Sequence, residues 1–73
     1  MYEHLKSILQ ERGLTKYRLA KMSHISTQDI YSLLNGKKPL YPNWKKRIAE
    51  ALKVPEEELF EEEVRQFGED KNN

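Results

Sequence analysis

Apolar residues recur along the chain at helical rather than strand spacing. Tyr2, Leu5, Ile8 and Leu9 share one face of a segment over residues 2–12, with Lys6 and Glu11 on the other side. Gly13 closes that segment. Leu19, Ala20 and Ile25 mark a second helix from about Lys16 to Met22, with Thr15 as its N-cap. The acid expected three residues after a capping-box Thr is Arg18, so that box is incomplete. Ile30, Leu33 and Leu34 follow Ser26 at i, i+3, i+4 and predict a third helix over about Thr27 to Asn35. Ser26 with Asp29 resembles a capping box, and Gly36 stops the helix.

Further on, Lys37-Lys38-Pro39-Leu40-Tyr41-Pro42-Asn43 is a loop punctuated by two prolines, with Asn43 expected to cap the next helix. Trp44, Ile48, Ala51 and Leu52 form the stripe of that fourth helix, and Trp44 is expected in the core. A fifth helix is expected to start on Pro55, with Glu56, Glu57 and Glu58 at the positive end of its dipole. Leu59, Phe60, Val64 and Phe67 make its apolar side, and Gly68 ends it. No strand pattern or internal repeat is visible. The expectation is an all-α domain over residues 1–68, compact and five-helical, with a disordered tail over 69–73.

The gap between the second and third helices, Ser23-His24-Ile25, forces a sharp crossing. Two short helices so joined make a helix-turn-helix, whose second helix commonly enters a DNA major groove. The turn asks His24 for positive φ, which costs roughly 1 kcal/mol relative to Gly.

Charge sharpens this picture. The net +1 of the chain hides an asymmetry. Residues 1–54 carry eleven Lys or Arg against four Asp or Glu, a net +7, and residues 55–73 carry two against eight, a net −6. A basic body with an acidic end suits a polyanion-binding domain. No cysteine offers a disulfide or a thiolate metal site. The glutamates cluster without a His or Ser partner, and His4 and His24 stand apart, so no enzyme activity, metal or cofactor is expected. The chain has neither an 18-residue apolar run nor a signal-peptide pattern, so a cytoplasmic protein without membrane contact is expected.

Residues 5–60 resemble the phage-repressor and Cro type of helix-turn-helix DNA-binding domain, called Xre-like. The resemblance is carried by Leu14-Thr15, Leu19-Ala20, Ile25-Ser26, Ile30, Leu33 and Gly36. Residues 48–54 followed by Glu57-Glu58-Leu59-Phe60 complete it. It implies a lambda-repressor-like fold. The chain departs from the family pattern at three places. Lys16 replaces a phosphate-contacting Gln, and a longer charged donor keeps the role. His24 replaces the turn Gly. Leu34 replaces an acid and leaves an extra apolar group expected near the surface.

The resemblance implies base or backbone contacts at Thr27, Gln28 and Ser32. Gln28 is the best reader, because its amide can pair bidentately with adenine N6 and N7. Asp29 reads first as a cap; accepting from a cytosine N4 amine is the alternative. Lys16, Tyr17, Lys37, Lys38, Tyr41 and Asn43 flank the third helix and are the candidates for phosphate contact, together with Tyr31 on the helix itself, which either stacks on the sugar-phosphate edge or is a half-buried surface ring. Lys45, Lys46 and Arg47 are basic as well, but only some of them can face DNA.

The expected function is a sequence-specific regulator of transcription on a double-stranded DNA operator. A repressor of phage or mobile-element type is the first form, and an antitoxin that represses its own operon is an alternative. A protein-interaction module built on the acidic fifth helix is the competing class. Val64 and Phe67 extend the apolar stripe, and either pair with a second copy as a homodimer on DNA or pack back near Tyr2.

Overall fold

The computed structural model describes residues 2–60, all helix and connecting turns. Five helices follow in chain order: α1 Glu3–Glu11, α2 Lys16–Ser23, α3 Thr27–Leu34, α4 Pro42–Leu52 and α5 Glu56–Leu59. α2 packs against both α3 and α4, and α4 carries α5. Leu5 and Leu9 of α1, Leu19 and Ala20 of α2, and Ile30, Leu33 and Leu34 of α3 enter one core with Ile25. Ile48, Ala49 and Leu52 of α4 and Leu59 and Phe60 complete it. Each helix is too short to persist alone in water, so burial of these stripes is what holds it.

Local chemistry sets the starts of α2 and α3 where the sequence places them. Thr15 Oγ1 accepts from the Arg18 N–H at 3.0 Å, and Ser26 Oγ accepts from the Asp29 N–H at 3.1 Å. Four helices end in one way. Gly13, His24, Gly36 and Lys53 each adopt positive φ, between 57° and 77°. The next N–H then reaches back five residues: Leu14 to Leu9, Ile25 to Ala20, Lys37 to Ser32 and Val54 to Ala49. This Schellman closure satisfies carbonyls that a helix end would leave open. At three of the four ends the residue that reaches back is apolar and turns the chain into the core.

Several boundaries differ from the sequence expectation. Ser23 belongs to α2; its hydroxyl donates to the Leu19 carbonyl at 2.7 Å, which lets it be buried. α4 begins at Pro42 with Tyr41 as N-cap, so Asn43 is not the cap. Proline lacks the N–H that the first helical position leaves unused, and its φ already suits a helix. Pro55 caps α5 rather than opening it, at φ −58° and ψ 145°. Phe60, at φ −117° and ψ 32°, leaves the helix instead of continuing it. The expected run through Val64 and Phe67 to Gly68, and the tail over 69–73, lie outside the described residues. Leu34 is not a surface group: it is 4% exposed and widens the core stripe of α3. In α4 the buried small residue is Ala49, while Ala51 is half-buried. Trp44 is half-buried, packed against the core and edge-on to Tyr41 at 4.7 Å between ring centroids.

Candidate nucleic-acid interface

α3 presents two unlike sides. Ile30, Leu33 and Leu34 point into the core. Thr27, Gln28, Tyr31, Ser32 and the C-cap Asn35 fall on the other side at i, i+1, i+4, i+5 and i+8, exposed or half-buried. The three residues expected to read bases are thus brought onto one face. The Gln28 side chain makes no hydrogen bond to another described residue, so both halves of its amide face solvent.

Cations and phenols rim this face. The Lys16 ammonium sits 5.2 Å from the centroid of the Tyr31 ring, a cation–π contact that ties the start of α2 to the middle of α3. Lys21 stands over Tyr17 in the same way at 5.3 Å. Tyr17, Tyr31 and Tyr41 are among the most exposed large side chains, at 52%, 44% and 43%. Lys37, Lys38 and Asn43 are exposed after α3. The first N–H groups of α2, at Lys16 and Tyr17, have no acceptor within their helix and can serve an anion.

Lys38 is not a bare charge. Its Nζ donates to Asp29 Oδ1 at 2.8 Å, which links the loop to the first turn of α3. The Lys38 hydrogen bond lowers the Asp29 carboxyl below its usual value, and a weaker bond from Ser26 acts in the same direction. The same hydrogen bond to Asp29 raises Lys38 above the usual lysine value.

Sequence reasoning missed two contributors. Lys6 and Gln10, spaced i, i+4 on the polar side of α1, line a shallow groove with Leu9, Leu14, Thr15, Lys16 and Tyr31. Their spacing was legible, but which way α1 lies against α2 was not. The Lys38–Asp29 pair spans nine residues and leaves no local signal. Arg47 is turned toward the interhelical turn, where its Nη1 donates to the His24 carbonyl at 3.3 Å.

This geometry meets a match to the Cro/C1-type HTH DNA-binding domain over residues 4–63. The chain belongs to that family. A relative, the HTH-type transcriptional repressor RghR of Bacillus subtilis (strain 168), is 41% identical over 59 residues. The match takes in 80% of this chain and 44% of that protein, so the chain spans less than half the length of its relative. No solved structure matches. Among the described residues no helix is long and apolar enough to cross a membrane, and no three His, Cys, Asp or Glu side chains gather to hold a metal ion.

Proposed function

We propose that this domain represses transcription by occupying a double-stranded DNA operator, with α3 in the major groove. Thr27, Gln28 and Ser32 read base edges. Lys16, Tyr17, Tyr31, Lys37, Lys38, Tyr41 and Asn43 hold phosphates on either side. The observation that carries this reading is the composition of the solvent side of α3. Apart from Tyr31, the residues there are short or amide side chains that fit base edges, bordered by Lys16 at one end and Lys37 at the other. A protein-interaction surface has no need of that pairing of neutral readers with flanking cations. The name of the relative supports repression as the direction of regulation.

Two copies would bind a palindromic site with half-sites about 34 Å apart. The apolar spacing of Val64 and Phe67 supports pairing through the segment after α5. Gel shifts on random duplex over a salt series test DNA binding, and selection from a random pool then yields the operator. Binding that weakens steeply with salt and converges on one sequence is the expected result. A chain that retards no duplex at low salt is not a DNA-binding regulator. Sedimentation with and without operator reads the dimer, and a monomer in both states removes it.

A further inference from the structure

Asp29 is an acid at the edge of the face proposed for DNA. It is the third residue of α3, directly after Gln28, and its side chain keeps 29% of its exposure. Phosphates repel a carboxylate there. One cap bond needs no carboxylate, since Ser26 Oγ accepts from the Asp29 N–H; the carboxylate itself is bonded only weakly to Ser26. The stronger partner of the carboxylate is Lys38, whose Nζ donates to Oδ1 at 2.8 Å.

We infer that Asp29 determines specificity by keeping Lys38 off the phosphates of a wrong duplex and releasing it where a cytosine amino group takes its place. This rests on the DNA-binding reading above. On a duplex with no donor opposite Asp29, moving Lys38 to a phosphate strands the carboxylate, unpaired, in the negative field of the DNA. The ion pair therefore stays closed, and Lys38 displaces no counterion. Cytosine N4 offers an N–H donor in the major groove, the partner that an Asp side chain accepts from. Where that donor meets Asp29, the carboxylate remains paired, and Lys38, 46% exposed on its loop, is free to reach a phosphate. One base is thereby coupled to one phosphate contact.

The test compares wild type, Asp29→Ala and the double variant Asp29→Ala with Lys38→Ala, each as the full chain. Each binds a random duplex and the pool-selected site over a salt series. For wild type, the slope of log K against log salt is expected to be steeper on the selected site by about 0.9, the contribution of one phosphate contact. Asp29→Ala is expected to bind random duplex several-fold more tightly, with its slope there raised by about 0.9. It is also expected to lose a cytosine preference at one base pair. The double variant is expected to lose both gains on random duplex. Circular dichroism checks the fold, and Asp29→Asn replaces the alanine variant if that one unfolds. Three results overturn the inference: an unchanged random-duplex slope in Asp29→Ala, equal tightening whether or not Lys38 is present, or a selected site with no required cytosine. In each of these the wild type still binds DNA. A wild type that binds no duplex overturns the DNA-binding reading along with it.

Discussion

Replacing Gln28 with Ala separates reading from folding. Gln28 lies one residue into α3, exposed, with an amide that bonds to no other described residue. Its removal therefore breaks no internal hydrogen bond and opens no cavity. Ala is the better helix former by a few tenths of a kcal/mol, so the folded state is expected to keep or slightly gain stability. The whole effect then falls on the interface. A bidentate amide–adenine contact discriminates by about 1–3 kcal/mol, which converts to a roughly 5- to 150-fold weaker Kd on the operator. Random duplex offers that contact only by chance, and the substitution leaves the phosphate contacts proposed for Lys16 and Lys37 untouched. Non-specific affinity and its salt slope are therefore expected to stay where they were. Equilibrium binding to a set of operators, each changed at one base pair, measures this directly. The variant should lose preference at one position and keep it at the rest. A variant that retains wild-type preference at every position shows that Gln28 is not a reader and passes the role to Thr27 or Ser32.

Lys37→Ala is expected to weaken binding to all duplexes alike and to lower the salt slope by about 0.9; an unchanged slope takes Lys37 out of the interface. Leu34→Ala removes a nearly fully buried side chain and is expected to cost about 2–5 kcal/mol, a fall in Tm of at least about 8 °C by thermal unfolding. A near-native Tm would return Leu34 to the surface. His24→Gly relieves an L-residue held at φ 59° while keeping the carbonyl that Arg47 binds, so stability should rise by up to about 1 kcal/mol, read from the denaturant midpoint. Because Asp29 titrates lower in the folded chain than its ordinary 3.8, its pair with Lys38 supports the fold above that value. That support is lost as the pH falls through the depressed one. The acid limb of a stability–pH curve should accordingly be shallower in Asp29→Asn than in wild type, and identical limbs would refute the pairing.

Much of this domain follows from local sequence. The apolar spacing of α1, α3 and α4 names the faces that meet, because a 3.6-residue period leaves one way to bury them. Thr15, Ser26, Gly13 and Gly36 set helix ends through contacts within five residues, so the chain carries that information without its fold. The solvent side of α3 is what remains once Ile30 and Leu33 are committed to the core, so the placement of Thr27, Gln28 and Ser32 on it was legible in the sequence, while their proposed reading role came from the family resemblance. Tertiary structure alone decided the rest. Leu34 could be assigned to core or surface only once α3 was seated, since its angular position lies at the edge of the stripe. Lys53 ends α4 in a left-handed conformation with no residue-type signal, because the packing of Val54 after it outweighs the strain. The joining of Lys38 to Asp29, of Lys16 to Tyr31 and of Arg47 to the His24 carbonyl depends on how helices and loop approach in space. Sequence separation does not encode such distances, and charge counting treated each of these cations as equally free.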